Sequence, residues 1–282
     1  MNYVILALAS LSCVLPLIHV LALSFSSTTA VNGGYVVLWP VDFTTKSYEF
    51  LVKDGKFFAS MLNSIKRVIL GVTVNIILLI LTAYPLSKPK EKLAGRNIYM
   101  AYFVITMLVS GGMIPLYLVV AKLKMIDSVW SLILPGSLSV YNMLILMNFI
   151  RSMPEELEEA AFVDGASPIQ TLLRVLLPIL RPAIATVTLF SVVNHWNSWF
   201  DGVIYMNSTA KYPLQSYLRT VLQDFEAILR RAGSDYTQLI AFLNVRSGRA
   251  AQIFLAALPI MMVYPFLQKY FTKGLVLGSV KG

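Results

Sequence analysis

The chain is predicted to be an all-α, polytopic membrane protein with six transmembrane helices, and three observations carry that expectation. Hydrophobic residues fill 57% of its 282 positions. Charged residues fill only 13%, about half of the ~25% usual in soluble domains, and the mean hydropathy is +0.71. The apolar residues gather into six runs, each close to the roughly 20 residues that carry a helix across a bilayer.

Composition also excludes several classes. The formal net charge of +9 speaks of phospholipid headgroups and topology, and the apolar background offers no nucleic-acid surface. Cys13 stands alone in an apolar run, which rules out a disulfide framework or a cysteine-based metal site. His19 and His195 are the only histidines, and neither has a partner spaced for a metal or a catalytic triad.

The first run, residues 2–23, begins without the basic residue that opens a signal peptide and is too long for its apolar core. It is read as a spanning helix that lacks some native N-terminal residues. Residues 24–64 are Ser/Thr-rich with scattered charges and are expected as an extramembrane loop with at most a short surface helix; Tyr35, Trp39, Phe43 and Tyr48 suit a headgroup-level aromatic belt. The second span, 68–86, ends at Tyr84-Pro85. Lys88, Lys90, Lys92 and Arg96 follow in a short loop and suggest the cytoplasmic side. The third span, 98–120, contains Ser110-Gly111-Gly112 and Pro115, which fit close helix packing or a gating hinge. The fourth is 129–150. The fifth, 183–206, is the most polar, with Asn194, His195, Trp196, Asn197, Ser198, Trp199 and Asp201. A hydrophilic loop over 207–249, with a candidate helix at 213–229, leads to the sixth span, 250–267. No internal repeat is detectable.

Between spans four and five, residues 152–182 carry a pattern too specific for a connector. Ser152 and Glu155 stand at S-x-x-E spacing with Pro154 between them, which predicts a capped helix start. Glu155, Glu156, Glu158 and Glu159 follow where a helix macrodipole favours negative charge. Leu157, Ala160, Ala161 and Asp164 form one stripe of mostly small side chains opposite an acidic face. Gly165 supplies the left-handed residue that ends the helix, and Ser167-Pro168 starts another at N-cap and N1. Leu177-Pro178 and Pro182 are expected to stop that second helix.

This segment resembles the EAA loop of the membrane subunits of bacterial ABC importers, with Glu159-Ala160-Ala161, Asp164-Gly165-Ala166 and Leu177-Pro178 at the family's distances. The resemblance implies the type I ABC importer permease fold, one transmembrane domain over 1–282. In it, 152–182 is a cytoplasmic coupling loop that docks on an ATPase through Glu159, Ala160, Ala161, Asp164 and Gly165. An amphipathic connector lying on the membrane surface is the alternative. Tyr84-Pro85-Leu86-Ser87, Ser110-Gly111-Gly112 with Ile114-Pro115, Trp196-Asn197, Pro213-Leu214-Gln215 and the tail from Tyr264-Pro265 to Gly282 are similar to one branch of that family. That branch comprises the carbohydrate permeases related to the second maltose-permease subunit, above all those for aldouronate- or alginate-type oligosaccharides.

The resemblance implies a multi-pass inner-membrane subunit of an importer that takes an oligosaccharide from an extracytoplasmic solute-binding protein by alternating access. It implies no catalysis by this chain and no cofactor on it. ATP and Mg sit on two ATP-binding cassette partners, and a second homologous permease completes a heterodimer. Fewer than half of the 23 Lys and Arg fall in the segments assigned to the cytoplasm, so orientation rests on the coupling loop; with six spans, both termini are then cytoplasmic. Further carry-overs are a tail reaching the ATPase interface (Lys273, Gly274, Gly278, Lys281) and a loop over 207–249 that probes the binding protein. A disordered tail and a loop without that role are their alternatives. The substrate-path candidates are His195, Trp196, Asn197 and Trp199, since indoles stack on sugar faces and amides pair with hydroxyls; interface anchoring and interhelical hydrogen bonding account for the same residues.

The energy source follows from what the sequence omits. The estimated limits of spans one to four enclose no Asp, Glu, Lys or Arg, whereas ion-coupled carriers keep ionisable groups along their path. Gly55-Lys56 is followed by Phe57 and belongs to no Walker motif. A secondary carrier, a membrane scaffold that recruits a cytoplasmic protein, and a permease for amino acids or phosphate are the alternatives.

Overall fold

The structure is a computed structural model and describes residues 2–53, 55–220, 246–263 and 265. The described residues are helical and contain no strand. They divide into two compact units, Met1–Ser64 with Ser208–Met261, and Ile65–Asn207 with Met262–Gly282.

In the first unit, α1 (Asn2–Ser24) is long and apolar enough to cross a membrane. Its side chains are exposed along most of its length, as on a helix surrounded by hydrocarbon. The expected loop over 24–64 is more ordered than its composition suggests. It holds α2 (Thr28–Asn32), capped by the Ser27 hydroxyl, and α3 (Lys46–Lys53). Ala22, Ala30, Val31 and Val36 form a small core there. The Phe25 ring stacks on Phe43 and Tyr48 at 5.3 and 4.7 Å, so two of the supposed belt aromatics pack on Phe25, while Tyr35 and Trp39 remain exposed. The Ser64 hydroxyl accepts a 2.7 Å bond from the Leu214 backbone N–H, and Asn63 donates to the Ala210 carbonyl.

The helix α4 runs from Gly55 to Ser87, starting well before the predicted 68. Its buried positions are 57, 60, 64, 67, 71, 75, 79, 83 and 86, an unbroken 3–4 spacing. The early members, Ser60, Ser64 and Arg67, are polar, and that is why a hydropathy scan places the start too late.

The second unit is built on one core. Leu79, Ala83 and Leu86 of α4 meet four residues of α8 (Val140–Arg151), namely Met143, Leu146, Met147 and Ile150. Leu172, Leu176, Leu180, Ala183 and Val187 close it. Three predicted spans are bent or interrupted rather than continuous. The third consists of α5 (Arg96–Leu108) and α6 (Met113–Lys122), which meet at 114°. Gly112 takes φ +86° at the corner and Pro115 lies in the first turn of α6, so Ser110-Gly111-Gly112 makes a corner and not a close-packed straight helix. The fourth consists of α7 (Val129–Ile133), continued by a 3₁₀ turn through Pro135-Gly136, and α8, bent by 52° with Ser139 capping α8.

The segment before the fifth span departs most from expectation. A helix α9 (Glu156–Val163) is followed by α10 (Pro168–Ile179), in which residues 171–176 take π-helical geometry. Pro178 does not end α10. The wider π turn passes Leu177 N–H to Leu172 O, and the chain turns by 81° only at Leu180, before α11 (Arg181–Asn197). The fifth span is then interrupted at Ser198-Trp199 and resumes as α12 (Phe200–Tyr205). Helix also covers 214–220, within the candidate at 213–229, and 246–263, where the sixth span was expected. Residues 221–245 of the expected loop and the tail residues Lys273, Gly274, Gly278 and Lys281 lie outside the described residues.

Candidate functional site

Of the three sets of side chains singled out by sequence, two fall on described residues, and both lie in the second unit. The first is the segment around α9. Ser152 does not cap α9. It ends α8, with its N–H bonded to Asn148 O at 3.0 Å and its hydroxyl to Phe149 O at 2.8 Å. The S-x-x-E spacing is thus a chance register at the end of one helix, and Glu155 occupies the N-cap of α9 without a side-chain bond. The acidic first turn is present as Glu156, Glu158 and Glu159. At the other end the chain turns as expected: Gly165 has φ +78°, its N–H reaches Phe162 O at 3.0 Å, and Ala166 N–H reaches Ala161 O at 2.9 Å. This is a Schellman motif. Ser167 then caps α10 in a true capping box, accepting from Gln170 N–H while the Gln170 side chain accepts from Ser167 N–H. Gln170 had not been singled out, although S-x-x-Q is the visible signal.

The five coupling candidates divide by burial. Ala161 faces inward at 7% exposure. Glu159, Ala160, Asp164 and Gly165 are exposed. Beside them stand two large apolar side chains that the sequence did not flag, Phe162 and Val163, exposed at 78% and 84%. The segment therefore presents a carboxylate, a small-residue patch and an apolar tip on one short turn.

This turn is anchored to the end of α4. The Lys88 ammonium pairs with the Glu158 carboxylate and lies 4.3 Å above the Tyr84 ring, and the Tyr84 hydroxyl donates to Pro168 O at 3.3 Å. The last carbonyls of α4 are also held: Arg96 Nε donates to Leu86 O at 2.9 Å, and Arg151 donates to Leu86 O and Ser87 O. A cavity of about 760 Å³ opens between these elements, lined among others by Tyr84, Leu93, Glu159, Phe162 and Thr171.

The second set lies at the interruption in the fifth span. His195 and Trp196 are buried, at 4% and 5% exposure, whereas Asn197 and Trp199 are exposed. The four candidates therefore do not converge on one surface. His195 packs on Gly71 so closely that a Cβ there would lie 2.6 Å from the ring. Sequence reasoning missed Arg67, just outside the estimated second span. Its side chain is 3% exposed and pairs with Asp201. The guanidinium also donates to Ser198 O at 3.2 Å and to Leu132 O at 3.3 Å. The signal was available: Arg67, Gly71 and Asn75 are four apart on the buried stripe of α4.

Comparison with known proteins agrees with this architecture. Residues 68–276 match the family described as binding-protein-dependent transport system inner membrane component. The polygalacturonan/rhamnogalacturonan transport system permease protein YtcP of Bacillus subtilis (strain 168) is 38% identical, with 99% of this chain and 96% of that protein covered. Protein LplC of the same organism is 40% identical, with 95% and 90% covered. Among solved structures, a bacterial ABC transporter involved in the import of the acidic polysaccharide alginate has a chain 31% identical, at a TM-score of 0.83, with 96% of this chain and 95% of that chain covered. With three quarters of its length matched and two relatives this similar, the chain belongs to the inner-membrane permease family of binding-protein-dependent ABC importers.

Proposed function

We propose that this chain is the permease subunit through which an oligosaccharide, of the acidic polysaccharide-derived kind, is moved inward by alternating access. Membership of the family supplies the general frame, a translocation subunit that works with a second permease, ATP-hydrolysing subunits and a binding protein. The substrate class is supported by the names of its relatives, for polygalacturonan/rhamnogalacturonan and for alginate. The specific assembly proposed is a heterodimer with a homologous permease, two ATPases that carry ATP and Mg, and one extracytoplasmic binding protein. Both termini face the cytoplasm, the loop over 207–249 faces the binding protein, and the tail at Lys273, Gly274, Gly278 and Lys281 reaches the ATPases.

The observation that carries the coupling role is the exposed turn at 159–165. Glu159, Ala160, Asp164 and Gly165 are open to a partner, with Phe162 and Val163 between them, while Lys88 and Tyr84 tie the same turn to a long helix. A partner that moves this turn moves α4 with it. For the substrate path, the exposed pair Asn197 and Trp199 is the part proposed to meet a saccharide; His195 and Trp196 hold the helix behind it.

Gly165→Pro tests the coupling role. Proline cannot adopt φ +78°, yet Gly165 is exposed and a Cβ there meets nothing within 4 Å, so the core of the unit stays intact. In nanodiscs with the second permease, the ATPases and the binding protein, saccharide-stimulated ATP hydrolysis should fall to the unstimulated rate. Unchanged stimulation would remove the docking role from 152–182.

A further inference from the structure

A charge taken out of water is costly unless it is paired and hydrogen-bonded. Arg67, whose side chain is 3% exposed, and Asp201 form such a pair, and its partners identify the purpose. Where α11 stops at Asn197, the regular ladder stops with it. Ser198 is extended at φ −69°, ψ 124°, so carbonyls at the interruption need new donors.

Arg67 supplies one. One nitrogen of its guanidinium donates to Ser198 O at 3.2 Å and to Asp201 Oδ1 at 3.1 Å. The other donates to Asp201 Oδ2 and to Leu132 O, the latter at 3.3 Å. Asp201 Oδ1 in turn accepts from the Ser198 hydroxyl and from Gly202 N–H, both at 2.9 Å. One planar fork therefore joins α4, the C-terminal end of α7, the interruption and α12. The fork matters, because Lys offers a point charge and cannot span a carboxylate and two carbonyls in one plane.

We propose that Arg67 is a positioning residue for the substrate path: locked to Asp201, it fixes the geometry of the Ser198 interruption and thereby the directions in which Asn197 and Trp199 face. The inference rests on the proposed saccharide role of Asn197 and Trp199. It goes beyond that role in assigning the control of their placement to a residue that touches no substrate.

Three variants separate positioning from mere stability: Arg67→Lys, Asp201→Asn, and the apolar double replacement Arg67→Met with Asp201→Leu. The double variant removes both charges together, so it leaves no buried ion unpaired, and its assembly with the partner subunits is the check that its helices still pack. Each is made in a chain whose exposed tryptophans at 39 and 130 are phenylalanine, while the buried Trp196, shielded from acrylamide, is kept; quenching is read on the purified full chain in detergent and transport after assembly with the partner subunits. Acrylamide quenching of Trp199 fluorescence and the saccharide-dependent transport rate are then measured. The expected result is altered quenching and at least tenfold slower transport in Asp201→Asn and in the double variant, with Arg67→Lys between these and wild type. Wild-type quenching in a double variant that assembles would overturn the proposal, whatever its transport rate. Altered quenching with wild-type transport would uphold the positioning role and remove Asn197 and Trp199 from the substrate path.

Discussion

Gly71 shows how much a single residue decides in this packing. It stands on the buried stripe of α4 with the His195 ring against it, and a methyl group there would come within 2.6 Å of two ring atoms. His195 is 4% exposed, so the ring has little room to swing aside. Gly71→Ala should destabilise the chain by about 1–3 kcal/mol, the usual cost of overpacking, read as a lowered thermal midpoint in detergent; an unchanged midpoint would mean that the ring yields freely. At this scale the legibility of the sequence was uneven. Gly165 could be foreseen because a left-handed position after an apolar stripe has one usual occupant. Ser152 could not, because the same S-x-x-E letters occur where one helix ends just before another begins. Arg67 was passed over because hydropathy marks a charge as the edge of a span, and its partner Asp201 is far away in sequence.

Among the elements, α4 and α9 belong together. Lys88, just past the last turn of α4, holds Glu158, and Tyr84, on that turn, holds Pro168, on either side of the 159–165 turn. The Lys88–Glu158 pair is partly exposed, with side chains at 15% and 26%, and such pairs contribute less than about 1 kcal/mol to stability. Its weight is therefore geometric: it removes one sliding freedom between α9 and the end of α4. Lys88→Glu, which sets two carboxylates against each other, should lower saccharide-stimulated ATP hydrolysis severalfold with the assembly intact, and adding Glu158→Lys should restore most of it. Failure of the exchange to restore stimulation would show that the pair transmits nothing. The bends were less legible than the helices. Glycine and proline in the third span announced a disturbance, but whether a Gly-Gly step kinks, packs or turns a corner depends on the neighbours. In α10, the π turn before Pro178 has no sequence signature that periodicity could catch, because one extra residue per turn shifts the buried face without changing its apolar content.

For the whole molecule, the all-α, multi-span character was readable from length and hydropathy, since the bilayer sets one dimension for every crossing; among the described residues two helices are long and apolar enough to cross, or five crossings if each bent pair counts as one. Orientation was not, because basic residues are spread over both sides. The orientation proposed above is counted from the 152–182 segment, which the proposed coupling role assigns to the cytoplasm. On that proposal one crossing by α1 leaves the loop that holds α2 and α3 outside, and α4 returns the chain to the inside at Lys88. Two exposed positions distinguish this arrangement from its inverse: Lys46 at the start of α3 and Val163 at the tip of α9. Cys13 is the only native cysteine, so Cys13→Ser gives a clean background. In intact cells with a permeable outer layer, a membrane-impermeant maleimide should label Lys46→Cys and leave Val163→Cys untouched; in inverted vesicles the pattern should reverse. The opposite result would place 152–182 outside, where no ATPase can reach it, and the coupling role would fall with the topology. Labelling of both positions from one side would instead mean that one of the intervening bent spans enters and leaves by the same face.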